Sequence, residues 1–310
     1  MARIVITGGA GFIGSNLVRR ALENNHNVVV VDDLSTGYWE NIEGLPLEFH
    51  ELSITKRDAL AEVFNGADSI VHLAAMGSVP RSIQDPMRTN DININGTLAV
   101  LEAARQAGVD HLLFSSSSSV YGKNPALPKH EREWVRAMSP YAVSKLAGEQ
   151  YMLAYQESYG MHTLPFRFFN VYGPRQSAGH AYAAVIPRFV EAVLKGEPAT
   201  IYGDGTQSRS FTYVGTVCEV LLQAVEGKIS SSEPVNLAFG TRTDLHGILN
   251  LMEEEFGQAI ERNYQPPRPG DVKHSQADNT SLGTLFPNIT ETPLADGLHE
   301  TISWYRSVLS

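Results

Sequence analysis

Thr7-Gly8-Gly9-Ala10-Gly11-Phe12-Ile13-Gly14 is the stretch on which the fold turns. It follows a β-branched run, Ile4-Val5-Ile6, and precedes a helical pattern through Leu17, Val18, Ala21 and Leu22. Glycines at positions 8, 11 and 14 answer three separate demands: a tight turn, close approach of backbone to a pyrophosphate, and close helix–strand packing. The amides at the start of such a helix favour a diphosphate. Val28 to Val31 is a second β-branched run, and Asp32 ends it, placed to accept both hydroxyls of a ribose. Asp32-Asp33 would repel a 2′-phosphate, so the expected dinucleotide is NAD and not NADP. A lone glycine triplet is a weak signal; strand, turn, helix, strand and acid in that order are a strong one.

Further along, Ser69 to Leu73, His111 to Phe114 and Thr163 to Phe168 read as strands, and Val28 to Val31 has the continuous apolar character of a parallel strand buried on both faces. Leu98, Val100, Leu101, Ala104 and Ala107 mark one long helix. Tyr141, Lys145, Tyr151, Met152 and Tyr155 mark another, opening after Ser139-Pro140. Strands alternating with helices of this length predict right-handed βαβ units. The expected fold is α/β: a Rossmann-type doubly wound parallel sheet with a smaller, mixed α/β C-terminal substrate lobe. From about Phe169 prolines break the rhythm, which sets the expected division at residues 1–169 for the dinucleotide unit and 170–310 mainly for the lobe, some segments returning to the first unit.

Composition narrows the classes. The chain has 310 residues, 43% hydrophobic and 19% charged, with a net charge of −10 and no long basic run, which argues against nucleic-acid binding. One cysteine, Cys218, excludes a disulfide framework and fits a reducing, cytoplasmic setting. No window approaches the ~18 apolar residues of a membrane span, and the N-terminal apolar run is too short for a signal peptide. The ten histidines show no ligand spacing, so no metal is expected.

Tyr141 and Lys145 stand at i and i+4 on one helical face. A phenol ionises near pH ~10, too high for a base at neutral pH, but a nearby ammonium and a nicotinamide cation favour the phenolate. The run Ser115 to Ser119 follows a strand, at the carboxyl edge where a nicotinamide would lie, and one hydroxyl there can hydrogen-bond the reacting oxygen.

Gly8-Gly9-Ala10-Gly11-Phe12-Ile13-Gly14, His72-Leu73-Ala74-Ala75, the serine run ending in Val120-Tyr121-Gly122, the Tyr141/Lys145 pair, and Arg167-Phe168-Phe169-Asn170-Val171-Tyr172-Gly173-Pro174-Arg175 together resemble the extended short-chain dehydrogenase/reductases, and among these the nucleotide-sugar 4-epimerases. The resemblance runs nearly end to end. It implies an isomerase that inverts C4 of a UDP-hexose through a transient 4-keto sugar, with Ser117, Tyr141 and Lys145 catalytic. For NAD it implies Gly8, Gly11, Phe12, Ile13, Gly14, Asp32, Ile54, Leu73, Ala74, Ala75, Asn93, Ser115 and Phe168, beside Tyr141 and Lys145. For the sugar nucleotide it implies Ser78, Ser119, Val185, Ser117 and Tyr141, a diphosphate clamp of Arg209, Arg268 and Asn170, uracil stacking on Tyr202 and a ribose contact from Asp271. Ser275 is small where a bulky aromatic would restrict the pocket, which points to UDP-GlcNAc/UDP-GalNAc, with UDP-Glc/UDP-Gal also accepted; the alternatives are the unsubstituted hexoses alone or a UDP-uronic acid. Relatives of this kind form homodimers through two helices per subunit, here roughly 88–107 and 140–159.

The chain also departs from that pattern at Ser53, Gly77, Ser210 and the Val214-Gly215-Thr216-Val217 stretch. Ser118 and Ser119 stand where the related 4,6-dehydratases carry Asp-Glu, and a serine hydroxyl cannot serve as the carboxylate base of that elimination. An NAD-binding regulator without turnover would have no use for a poised phenol.

Overall fold

The computed structural model describes residues 1–177, 184–267 and 273–309. Its centre is a seven-stranded, all-parallel sheet. The strands are β1 (Arg3–Thr7), β2 (Asn27–Asp32), β3 (Glu48–Glu51), β4 (Ser69–His72), β5 (His111–Ser117), β6 (His162–Phe168) and, after shorter strands in the lobe, a late-arriving Val235–Leu237. Their order across the sheet runs from Val235–Leu237 through β6, β5, β4 and β1 to β2 and β3, so the winding reverses between β1 and β4. Ligands of open α/β sheets bind at such a reversal, outside the carboxyl ends of the strands.

Two apolar layers sandwich the sheet. On one face α1 (Phe12–Glu23) is buried through Leu17, Val18 and Ala21. On the other lie α2 (Arg57–Phe64), α5 (Gly96–Ala107) and α6 (Pro140–Tyr159), with the short α3 (Val79–Gln84) and α4 (Pro86–Asn90) packed on α6. One π-helical turn, Asp91–Asn95, joins α4 to α5. Ser139 caps α6 by accepting from the Ala142 amide at 3.1 Å, and Pro140 occupies its first turn, where a missing N–H costs nothing.

The smaller lobe has its own core around Phe189, Ile201, Ile248, Leu249 and Ile302. It contains α7 (Val185–Leu194), α8 (Val214–Glu226), α9 (Leu245–Phe256), α10 (Thr280–Leu285) and α11 (Leu294–Leu309), although α8 and α10 leave it to cover the α1 face of the sheet. Its strands are β7 (Val171–Tyr172), β8 (Ala199–Tyr202), β9 (Ser208–Arg209) and β10 (Thr212–Tyr213). Val235–Leu237 is then β11, followed by β12 (Thr243–Asp244), β13 (Arg262–Gln265) and β14 (His274–Ser275). They pair as β7 with β10, β8 with β13, and β9 between β12 and β14.

Two elements differ from the sequence expectation. The fifth strand continues past Phe114 through Ser117, with Ser115, Ser116 and Ser117 paired to Phe166, Arg167 and Phe168. The edge strand β3, Glu-Phe-His-Glu, has no apolar run because its residues are partly or fully exposed. Among the described residues no helix is long and apolar enough to cross a membrane.

Candidate active site

The glycine turn is built as its spacing requires. Gly8 has φ +74°, and a Cβ there would lie 2.6 Å from the Ala74 amide nitrogen. A Cβ on Gly14 would lie 2.1 Å from the Gly8 carbonyl oxygen, so helix and turn touch at that point. Gly11 differs: its Cβ would meet only the Gly8 oxygen, at 3.2 Å, and open space otherwise. No side chain caps α1 and no acid stands in its first turn, so the amides of Phe12 and Ile13 have no intrahelical partner. A bare helix N-terminus beside an open glycine fits a dinucleotide diphosphate. Gly14→Ala is expected to cut the dinucleotide retained by the purified protein about 10-fold, read by absorbance after denaturation, since overpacking of this kind costs roughly 1–3 kcal/mol. Full retention would refute the cradle.

Asp32 lies beside this turn at the end of β2, 7% exposed. Its oxygens accept from the amides of Ala10 at 3.0 Å and Leu34 at 2.9 Å. Burial pushes its pKa up and these two bonds oppose the rise; each oxygen keeps a lone-pair site for a ribose hydroxyl. Leu73, Ala74 and Ala75 continue from β4 and are partly buried, as is Phe168 at the end of β6. Ile54 is buried and packs on the start of α5, where a Cβ on Gly96 would meet it at 2.7 Å. Asn93 is 2% exposed, with its carboxamide bound to Met76 N at 2.7 Å, Met76 O and Ser144 Oγ at 2.9 Å. Its side chain thus pins the loop after β4 to α6.

The strand β5 and helix α6 bring the three candidate catalytic groups together. Lys145 Nζ donates to Ser115 O at 2.7 Å and Ser115 Oγ at 3.3 Å, and rides 5.0 Å above the Phe114 ring. Burial pushes this ammonium down to about 7. Ser117 Oγ accepts from the Ser119 amide at 3.2 Å and the Ser119 hydroxyl at 2.9 Å, and lies within hydrogen-bonding reach of the partly buried Tyr141. One expectation is corrected: burial raises the Tyr141 pKa, and the opposing influence is the Ser117 hydrogen bond, not Lys145, whose ammonium is turned to Ser115. His72, fully buried between Thr7 Oγ1 at 2.7 Å and Thr97 Oγ1 at 3.0 Å, is pushed down to about 3 and is neutral.

Behind these groups lies an ion pair that carried no role in the sequence. Arg167 grips Glu149 at 2.6 and 3.0 Å, and Ser116 donates to Glu149 at 2.8 Å. Glu149 stands one turn beyond Lys145 on the same face of α6; a charge inside an otherwise buried helix face was the only available signal.

On the lobe, Ser210 gathers three expected substrate contacts. Its carbonyl accepts from Asn170 Nδ2 at 2.9 Å, its amide donates to Ser275 O at 3.0 Å, and β9 pairs Arg209 with Ser275. The Ser210 hydroxyl itself, in a residue 1% exposed, accepts from the Ala277 amide at 3.4 Å, so the departure there is a buried tie to the segment after β14. Asn170 holds φ +35°, a left-handed backbone that asparagine tolerates better than most residues. Arg209 Nη1 donates to Ser208 O at 2.9 Å and Lys273 O at 3.0 Å. Tyr202 closes β8, with the Arg188 guanidinium 5.5 Å above its ring. Val185 opens α7, partly buried. Ser78 caps α3, accepting from the Arg81 amide at 3.3 Å. Ser53 bonds Thr55, and a Cβ on Gly77 would meet open space. Arg268 and Asp271 lie outside the described residues. His130, Glu131 and Asp278 bring one potential ligand atom each within 4.8 Å of one another. His130 Nδ1 accepts from the Arg132 amide and Asp278 from the Thr280 amide, so both already serve loop hydrogen bonds.

Residues 4–238 match the model of the NAD dependent epimerase/dehydratase family. A UDP-glucose 4-epimerase of Mycolicibacterium smegmatis is 37% identical over 313 residues, covering 98% of this chain and 99% of its own. A UDP-N-acetylglucosamine 4-epimerase from Methanobrevibacter ruminantium M1, solved with UDP-N-acetylmuramic acid, superposes with a TM-score of 0.94 at 36% identity, covering 99% of both chains. The UDP-glucose 4-epimerase of Thermus thermophilus, solved with NAD, gives 0.89 at 35% identity, covering 98% of this chain and 99% of the other.

Proposed function

The chain belongs to the NAD dependent epimerase/dehydratase family, and on that premise we propose that it inverts C4 of UDP-GlcNAc and UDP-GalNAc, with UDP-Glc and UDP-Gal as further substrates. It is an isomerase, and its cofactor is NAD. The observation that carries the reading is the meeting of Ser117, Tyr141 and Lys145 at the carboxyl end of β5, beside the glycine cradle of β1.

NAD, held by the glycine turn and Asp32, would supply the hydride acceptor and donor for C4 and, in its oxidised form, a positive charge on the nicotinamide ring. Tyr141 takes the proton of the sugar 4-hydroxyl and gives it back to the same oxygen once the keto sugar has turned to present its other face for reduction at C4. Ser117 holds the sugar oxygen by a hydrogen bond, and Lys145 anchors the end of β5 through Ser115. Arg209 and Asn170, with Arg268, grip the diphosphate by charge-assisted bonds while the hexose is free to rotate. Residues 1–169 supply the cofactor side and 170–310 mainly the sugar-nucleotide side. The chain works as a homodimer; exposed Met87, Val143 and Tyr159 on and beside its pairing helices support this.

The choice of sugar rests on Ser275, small and partly exposed beside Arg209. Purified protein offered both sugar pairs is expected to epimerise the N-acetyl pair. Ser275→Tyr is expected to lower kcat/KM for that pair at least about 10-fold more than for the unsubstituted pair, since a steric clash of 1–3 kcal/mol is a factor of about 10–200. Wild-type activity confined to unsubstituted hexoses or to a uronic acid would sink the sugar assignment and leave the reaction class standing.

A further inference from the structure

Ser117 ends β5 and opens the short 3-10 turn Ser118–Tyr121. Its oxygen accepts two hydrogen bonds from one neighbour, the Ser119 amide at 3.2 Å and the Ser119 hydroxyl at 2.9 Å. A serine hydroxyl has two acceptor lone pairs and one proton. With both lone pairs engaged, Ser117 is left with its proton alone to offer. The partner within reach is the Tyr141 phenol, at the place where the sugar 4-oxygen must come.

We propose that Ser119 is a positioning residue of the epimerisation site, holding Ser117 as a pure hydrogen-bond donor toward the oxygen that reacts with Tyr141. This rests on the roles proposed above for Ser117 and Tyr141. Without Ser119 the Ser117 hydroxyl is a free rotor that accepts a bond as readily as it donates one, and an accepting Ser117 opposes the oxygen it should stabilise. The preference matters most when the sugar oxygen is an alkoxide or a ketone, because neither has a proton to donate. In the hydroxyl state the sugar tolerates either polarity. Ser119 therefore acts on the chemical step and hardly on substrate affinity. The bonds from Ser119 also polarise the Ser117 O–H and strengthen its donation. The proton inventory is closed: the 4-hydroxyl proton moves to the Tyr141 oxygen and returns, and Ser117 keeps its own throughout.

A carboxylate at position 119 would reverse this arrangement. It would accept from Ser117 and turn that proton away from the sugar. Serine at this position, absent any acid, is what a donor-only Ser117 requires.

The test uses the full-length holoenzyme, with NAD content and melting temperature checked for each variant. Ser119→Ala keeps the amide donor and loses the hydroxyl. It is expected to lower kcat about 3–10-fold, the range of one neutral hydrogen bond, with KM changed less than about two-fold. The acid limb of the kcat–pH profile is expected to move to higher pH, because a weaker Ser117 bond depresses the Tyr141 pKa less. Ser119→Thr is expected to restore both. Unchanged kcat and pH profile in Ser119→Ala, or a change in KM alone, overturns the positioning role. A wild-type protein that epimerises no UDP-sugar would instead overturn the function on which it rests.

Discussion

Tyr141→Phe is expected to stop epimerisation while leaving the fold and the bound cofactor in place. The substitution removes one oxygen from a partly buried ring in the first turn of α6, and Ser139 and Pro140 still start that helix. The diphosphate cradle proposed at the α1 N-terminus and the glycine turn does not use the lost hydroxyl. What disappears is the group proposed to take and return the 4-hydroxyl proton. General acid–base catalysis contributes about 10²–10⁴-fold, so kcat should drop by that factor. The measurement is the rate of UDP-GlcNAc to UDP-GalNAc conversion, followed by chromatography of the sugar nucleotides. Turnover within ten-fold of the wild type would mean that another group is the base.

The second large effect is on stability. Glu149→Ala removes one side of an ion pair whose side chains are 4% and 0% exposed. Arg167 would retain its bond to the Glu131 carbonyl at 3.0 Å and its contacts with Tyr121, over whose ring it lies at 4.7 Å, with no counter-charge from Glu149. Burial alone would pull the guanidinium pKa down; Glu149 lifts it above the ordinary value. Breaking a buried pair on one side costs about 3–5 kcal/mol because a desolvated charge is left behind. For a chain of this size that corresponds to a fall in Tm on the order of 10 °C by calorimetry. The double variant Glu149→Leu/Arg167→Met, which removes both charges, should lose less. A single variant melting within about 2 °C of the wild type would show that the pair contributes little. Because Ser116 hangs from Glu149, the end of β5 should loosen as well, and catalysis with it.

The parts of this fold that show in the sequence are those whose cause is local. Gly8, Gly11 and Gly14 are needed by the turn itself, and parallel strands buried on both faces appear as unbroken apolar runs such as Val28 to Val31. β3 escaped because an edge strand needs no apolar face, and the serine end of β5 escaped because Ser115–Ser117 has the composition of a loop. The Tyr141/Lys145 spacing on α6 was legible, but the sign of the Tyr141 shift was not, since it depends on how deeply neighbours bury the phenol. Ser119 was legible as a sugar-nucleotide contact implied by the resemblance, and as the place of a dehydratase's acid; its two bonds to Ser117 were not, since they depend on the backbone turn that follows β5. Likewise, Arg209 and Ser275 meet through strands of two residues each, too short to leave any periodicity.

The path of the chain after Phe169 has a consequence for how such a protein is inherited and handled. Val214, Val217 and Leu221 of α8, Val235 and Leu237 of β11, and Leu282 and Phe286 of α10 share one apolar core with Ile4, Leu17 and Val30. A fragment cut at residue 169 would keep α1 on that sheet face but lose the rest of its cover, with the edge strand β11. Neither half is therefore an interchangeable module: a graft that swaps the sugar-nucleotide half for that of a relative must carry its share of the cofactor half's interior with it.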